Sequence, residues 1–555
     1  MAERLGKLDE LRQAGVSPIT QTEGVAWFIR LVAQKLPAIA VVLTGRLGAY
    51  PPIPIADSTL PLHRFLEKPR VYYPGIELVS DCEVTTISDP YLLDHVFQGK
   101  PLLPAVMGIE AMVAAAMALC RTERIPALEG VQFDHPIIVD PSNRVTLRIV
   151  ALRRDGVRVD IAIRSSQTSF QLDHFRCSCV FKDEPLRQER FGARDAVARI
   201  ALEPQSEMYG GLLFQGPRFQ QLKSYRRLTA QFSCAEISSS SSAPWFTPYL
   251  PGQLILGDPA SRDAALHSIQ ACVPDEILLP LSVERIEFGP LDPTEMVIAR
   301  ATELWHEAGT YCYDLELRSG DGTRRELWHG LRFRKVADAK TIDLPDALMA
   351  VLLERRLRKA EVGLPVALAF ERDKSVDRRS RTKRAIQRAL NAPYRVQWRE
   401  DGKPEVEGPF VVSAAHSNGL TLAVAAQDLV ACDLESVQQR PEKTWRDMLG
   451  ADRWMLARLI SNQVQEDLHT AATRVWTAME SLAKVSQFQP RNLVLSSLPK
   501  GDGVVSLSSS DVIIATSVLR FRGDSSPLGV AILTRKKPCV NMNIATESVS
   551  KRQIS

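Results

Sequence analysis

The chain predicts an α+β fold with a short α/β segment at its start, on three observations. From about 72 to 190, short segments of alternating apolar and polar residues surround one long apolar helix, Pro104 to Leu119. A similar unit recurs over 205–336, with its helix at Asp263 to Cys272. A third stretch, 345–530, mixes basic helices with apolar strands. Alternation with period two marks half-buried antiparallel strands, whereas a long unbroken apolar helix marks a core.

Each element follows in order. In residues 1–50, Val25–Val32 reads as helix and Ala38–Arg46 as a continuous apolar strand of the buried parallel type. Together they fit the last helix and strand of a nucleotide-binding α/β domain, or a decoration of the next domain. No glycine-rich dinucleotide loop precedes them, so no nicotinamide chemistry is expected. Residues 51–71 are a linker stiffened by Pro51, Pro52 and Pro54. Over 72–336, Arg144–Val150, Arg158–Ile163 and Glu295–Arg300 alternate as strands. Glu110 sits at the centre of the Pro104–Leu119 helix, which argues for a core helix and against a membrane span. Two curved sheets, each wrapped around a helix, make a double hot dog, 72–190 and 205–336. Ser238–Ser242 is a polar run read as a surface loop. Residues 531–555 are read as a loose polar tail.

Composition excludes several classes. The 69 basic and 65 acidic residues leave a net charge of +4, too little to make nucleic acid the main partner. Nine scattered cysteines fit a reducing cytoplasm. Cys177 and Cys179 share a strand face but lack two further ligands, so no zinc site is expected. Met1–Leu5 leads into charged residues with no apolar core, so no signal peptide is expected.

Two constellations carry chemistry. The first is His95-x3-Gly99-x4-Pro104 followed by the apolar helix, with Asp258-Pro-Ala-Ser-Arg-Asp263-Ala-Ala-Leu-His267 far downstream. A histidine titrates near neutrality and can take a proton from carbon. Asp263 can give a proton to a departing hydroxyl if its apolar neighbours Ala264–Leu266 raise its pKa. His267 lies one turn beyond Asp263 on the same face and can orient it. Gly99 allows close backbone approach, and the helix starting at Pro104 offers N–H groups to a developing oxyanion. With Phe214-Gln215-Gly216-Pro217-Arg218-Phe219-Gln220 between the halves, the region 75–335 resembles the dehydratase domain of polyketide synthases. Asp258–Cys272 and Leu281–Ile286 look closest to the enediyne-type iterative synthases. The resemblance implies a carrier-bound β-hydroxyacyl substrate and a growing polyene, with no dehydratase cofactor. It also makes residues 1–50 a ketoreductase-like remnant. Gln215 stands where the family often has Tyr.

The second constellation is Asp433-x-Glu435 on a strand, where alternate residues share a face, and Trp476-x3-Glu480-x3-Lys484 on a helix. Paired carboxylates suit a hard cation such as Mg²⁺, and a nearby lysine suits a phosphate. The same residues also fit a solvated carboxylate strand and a helical salt bridge. With Gly402-Lys403-Pro404 and Ser413-Ala414-Ala415-His416-Ser417 upstream, the ordered set resembles phosphopantetheinyl transferases over 345–525. The resemblance implies that Asp433, Glu435 and Glu480 hold Mg²⁺ and the coenzyme A pyrophosphate. Glu480 would help deprotonate the acceptor serine, and Lys484 would stabilise the leaving phosphate. Lys403 and His416 would bind the nucleotide phosphates. Met479 and Ala415 stand where Lys and Ser are usual.

The partners implied are an acyl carrier protein, other polyketide synthase domains and a second copy of the chain, with no nucleic acid or membrane. The basic helices from Arg355 to Arg388 fit either an acidic carrier or solvent. Gly523-Asp524-Ser525-Ser526-Pro527 reads as a turn, not a modified carrier serine. Rival readings are a carrier-docking scaffold with a degenerate coenzyme A site, and a hot-dog thioester hydrolase.

Overall fold

The computed structural model describes residues 8–13, 15–33, 41, 43 and 60 of a first compact unit, 1–60. In the second, 61–555, it describes 61–181, 199–238, 244–289, 296–341, 344–360, 366–373, 375–485, 492–499 and 503–536. In the first unit the expected helix runs Gln21–Val32, opened by a capping box. Thr20 Oγ1 accepts the Glu23 N–H at 3.2 Å, and the Glu23 carboxylate accepts the Thr20 N–H at 2.8 Å. The strand expected at 38–46 lies outside the described residues apart from Val41 and Leu43, which have no regular structure.

In the second unit, twelve strands form one antiparallel sheet built from two six-stranded halves. The first half wraps the helix Ala105–Cys120, and the second wraps Pro259–Ser268 with its 3-10 extension Ile269–Cys272. The halves meet where Ala127–Phe133 pairs with Glu276–Phe288, in the register Val131 with Val283 and Leu128 with Ile286. This is the double hot dog. The strand Val145–Arg153 buries every second residue against the helix, as its alternation demands. Thirteen residues of Ala105–Cys120 are buried, so its stability comes from packing. Gly108 lets that helix ride on the sheet: a Cβ there would lie 2.2 Å from the ring of Phe175. Buried Glu110 is not stranded, because its carboxylate accepts the N–H groups of Ile255 and Leu256. The loop entering the second helix is thereby tied to the first.

Several boundaries differ from expectation. The supposed linker already contains the strand Lys68–Tyr73 and the buried Arg64–Phe65, because Arg64 pairs with fully buried Asp89 at 2.8 Å. The strand Leu528–Arg535 runs into the expected tail; its apolar Val530–Leu533 is central, between Val430–Ser436 and Val512–Leu519. Residues 537–555 lie outside the described residues, as do 239–243 of the polar loop. Pro104 is the N-cap of its helix rather than part of the first turn.

The described residues of 344–536 form three smaller sheets with helices, the smallest being the pair Val396–Trp398 and Pro404–Val406. A three-stranded sheet, Ala367–Glu371, Leu420–Ala426 and Val411–Ser417, carries the helix Arg378–Leu390. A five-stranded sheet carries the helix Leu468–Ala483. The leading helix, Asp346–Lys359, packs on the second hot dog through one continuous core that includes Met208, Leu213, Leu348 and Leu352. Arg355 was expected on a docking or solvated face, and the structure corrects this. It is buried, donates to the carbonyls of Cys272 and Ala230 at 2.9 Å each, and pairs with buried Glu303. A cation can be buried there because Glu303 balances its charge and two backbone carbonyls accept from its Nε and Nη2.

Candidate active site

His95 ends a short 3-10 turn, Pro90–Asp94, and opens a tight hairpin, Val96–Phe97 with Lys100–Pro101. Gln98 and Gly99 both take positive φ, 49° and 77°, the demand of a two-residue hairpin turn. No atom lies within 4 Å of where a Gly99 Cβ would be, so its conformation, not a close approach, requires glycine there. The hairpin folds back so that the Leu102 carbonyl lies 3.0 Å from His95 Nδ1. Nδ1–H donates to it, which leaves the Nε2 lone pair facing a cavity of about 60 Å³. Phe214 and Phe219 pack edge-on against the ring.

The second half supplies the carboxyl group. Asp258 caps its helix by accepting the N–H groups of Ala260 and Ser261, and Pro259 fits the first turn. The two aspartates of this segment therefore do different work: Asp258 starts the helix, and Asp263 faces the cavity. Asp263 Oδ1 lies 3.9 Å from His95 Nε2. Its other oxygen accepts from His267 Nδ1 at 3.1 Å. His267 Nε2 in turn accepts from the Tyr209 hydroxyl at 2.9 Å, and that oxygen accepts the Leu222 N–H at 3.2 Å. This chain of donors fixes the orientation of the Asp263 carboxylate. His95 is 7% exposed and Asp263 5%.

Burial pushes His95 below the usual histidine range, although Asp263 pulls it back in part. It is neutral and able to accept a proton. The expected rise at Asp263 is not found. Burial does push it up, but the His267 N–H, the His95 imidazole and the Gln215 amide outweigh burial and hold the carboxyl below its usual range. Its sequence neighbours were the wrong guide, because groups from other elements set its surroundings.

Gln215 is stapled beside His95. The two backbones form an antiparallel bridge, Gly216 N donates to the Asp94 carbonyl at 2.7 Å, and Arg218 pairs with the Asp94 carboxylate. A Cβ at Gly216 would sit 2.7 Å from Asp94, so only glycine allows this approach. Tyr209 escaped the sequence reading because it lies outside the motif, with four residues between it and Phe214; only the fold returns it to His267.

In the third region, Lys403, His416 and Lys484 line one cavity of about 780 Å³ with Arg378, Arg379 and Trp398. Burial, then the charges of Arg378, Lys484 and Arg381, push His416 down to about 4. Its Nε2 lies 2.8 Å from the Thr382 hydroxyl, and its Nδ1 is buried without a partner. Lys484 Nζ bonds Asp433 at 2.9 Å and the Cys432 carbonyl at 2.7 Å, so the Asp-x-Glu strand and the Glu-x3-Lys helix lie side by side. Burial pushes Glu435 up, and the charges of Asp433 and Glu480 add to the shift. Among the described residues, no three carboxylate, imidazole or thiol groups converge on one point. Ala415 is buried in the core and Met479 packs against an apolar cluster, so both unusual residues are packing positions. Cys177 and Cys179 are buried with sulfurs 3.9 Å apart.

Comparison with known proteins bears on the double hot dog. The family described as polyketide synthase dehydratase domain matches residues 66–166, and the one described as polyketide synthase dehydratase N-terminal domain matches 189–342. The double hot dog is thus a dehydratase domain of the polyketide synthase class. A relative is the 3-hydroxyacyl-(acyl-carrier-protein) dehydratase FabZ of Anaeromyxobacter sp. (strain Fw109-5), 28% identical over 115 residues, 18% of this chain and 70% of that protein. Among solved structures, the dehydratase domain of the CurF module of curacin polyketide synthase is 19% identical, covering 50% of this chain and all 100% of that one, with a TM-score of 0.41. The dehydratase domain of PpsC from Mycobacterium tuberculosis is 17% identical, covering 50% and 100%, with a TM-score of 0.40. No helix among the described residues is long and apolar enough to cross a membrane.

Proposed function

We propose that the double hot dog removes water from a β-hydroxyacyl thioester carried by an acyl carrier protein. The observation that carries this is the 3.9 Å approach of His95 Nε2 to Asp263 Oδ1, each group brought by a different half. The Cα–H bond breaks and its proton passes to neutral His95. The Cβ–O bond breaks, the double bond forms, and the hydroxyl leaves as water with a proton from Asp263, which must first take that proton from solvent because it is a carboxylate in the free protein. The start of the Ala105 helix lines the cavity, so its dipole supports the thioester oxygen as charge grows there. The motif around Asp258–Cys272 favours an enediyne-type iterative synthase that builds a polyene.

The third region is proposed as a phosphopantetheinyl transferase. Asp433, Glu435 and Glu480 would hold Mg²⁺: burial raises Glu435 and the charges of Asp433 and Glu480 add to the shift, a repulsion that a cation would relieve, but the three carboxyls would have to draw together to share it. Mg²⁺ would neutralise the coenzyme A pyrophosphate. Lys403 and His416 would bind the nucleotide phosphates, and Lys484 would bind the phosphate that departs. Glu480 would take the acceptor serine's proton. A cytoplasmic protein, a homodimer and work beside other synthase domains complete the proposal.

One experiment tests both halves. The purified chain is mixed with apo-carrier, a β-hydroxyacyl-coenzyme A and Mg²⁺, and the intact carrier is weighed. Gain of the acyl arm followed by loss of water is expected. His95→Ala should stop only the water loss; Asp433→Ala should stop the loading, and should still dehydrate a carrier supplied already bearing the β-hydroxyacyl arm. Absence of both steps in the wild type would favour a non-catalytic carrier scaffold.

A further inference from the structure

Gln215 is 6% exposed and lines the His95–Asp263 cavity, yet its side-chain carbonyl oxygen has no hydrogen-bond partner. Its side chain and that of Asp263 line the same cavity. Its backbone cannot move aside: it bridges to His95, its carbonyl accepts the Gln220 amide at 3.0 Å, and the next residue is pinned to Asp94. A buried acceptor held rigidly without a donor is costly unless a ligand satisfies it.

We infer that Gln215 is a specificity-determining residue whose side-chain oxygen accepts the hydrogen of the substrate's β-hydroxyl. The inference rests on the dehydratase reading above. A hydroxyl offers one donor hydrogen and two acceptor lone pairs. With its hydrogen on Gln215, a lone pair faces Asp263, where the leaving oxygen must gain a proton. A β-oxo thioester has no such hydrogen and sets a carbonyl oxygen against the Gln215 oxygen. An enoyl thioester also lacks the donor. The site therefore favours the reduced substrate over its ketone precursor and over its own product, because sites built for a hydroxyl reject analogues that lack it.

The test uses the full chain carrying His95→Ala, so that no ligand is consumed. Calorimetric titration compares 3-hydroxybutyryl, 3-oxobutyryl and crotonyl N-acetylcysteamine thioesters. The hydroxy ligand should bind about tenfold tighter than the other two, the size of one neutral hydrogen bond. Adding Gln215→Met, which keeps length and removes both polar atoms, should erase that preference by weakening only the hydroxy ligand. Unchanged binding of the other two ligands reports a folded site. A preference that survives Gln215→Met overturns the inference while wild-type dehydration upholds the parent reading. No dehydration by wild type and no binding of any ligand overturns both.

Discussion

Replacing Arg355 by Met is expected to damage the dehydratase from outside it. Arg355 belongs to the helix Asp346–Lys359, beyond the second hot dog, but its guanidinium bonds the Cys272 carbonyl at the end of the segment carrying Asp263 and His267. It also bonds the Ala230 carbonyl and the carboxylate of Glu303, whose side chain is 1% exposed. Methionine fills much of the volume but strands a buried carboxylate. Removing one partner of such a pair costs about 3–5 kcal/mol. Glu303 keeps its bonds to Tyr313 and His306, which places the cost at the lower end, about 3 kcal/mol. For the unit 61–555, with an unfolding entropy of about 2.1 cal/mol/K per residue, that lowers the melting temperature by about 3 °C. Calorimetry measures the shift, and dehydration at 25 °C measures the looser positioning of Asp263 through a lower kcat. A shift below about 2 °C with unchanged kcat would refute the claim that the third region completes the dehydratase.

Three further outcomes follow from the geometry. Tyr209→Phe removes the donor to His267 and strands the Leu222 N–H; kcat should fall about tenfold with KM little changed, and a change confined to KM would remove Tyr209 from the positioning chain. Gly108→Ala should lower stability by about 1–2 kcal/mol despite better helix propensity, read by urea unfolding, because the new methyl collides with Phe175. Coenzyme A binding should take up a proton between pH 4 and 6.5: His416, held down to about 4 by burial and by cations, is released when phosphate supplies negative charge. Titration in buffers of different ionisation enthalpy reads that proton, and equal heats in all buffers would exclude His416 from the phosphate site.

The legible parts of this chain were those fixed by local rules. Alternation in Val145–Arg153 and the apolar run of Ala105–Cys120 announce their burial, because each face is set within the element itself. His95 and Asp263 were legible through their motifs. The join of Ala127–Phe133 to Glu276–Phe288 was not, since its partners lie some 150 residues apart and either strand alone could sit at an edge. The strand Leu528–Arg535 was cut at 531, its remainder taken for tail, because the residues after it are polar; one of its flanking strands, Val512–Leu519, is close in sequence, but the other, Val430–Ser436, comes from far upstream. Arg355 misled for a related reason: a basic helix in sequence says nothing of which arginine finds a buried carboxylate.

The protonation of Asp263 decides how the proton moves. In the free protein both His95 and Asp263 are held below their ordinary values, so at neutral pH the pair carries no proton. An acid role for Asp263 requires one. If Asp263 donates, the productive enzyme holds a single proton on the pair, and kcat/KM falls as pH rises past the point where that proton leaves. Full activity then lies on the mildly acidic side, and Asp263→Asn loses about 100- to 10,000-fold, the usual worth of a general acid. If His95 instead returns the α-proton to the hydroxyl, the empty pair is the active form, kcat/KM stays flat towards high pH, and Asp263→Asn loses far less. Gln215 favours the first route, because a hydroxyl whose hydrogen is already accepted turns a lone pair towards Asp263. A pH profile of wild type from 5 to 9 with a declining alkaline limb is the expected result; a flat alkaline limb would transfer the acid role to His95.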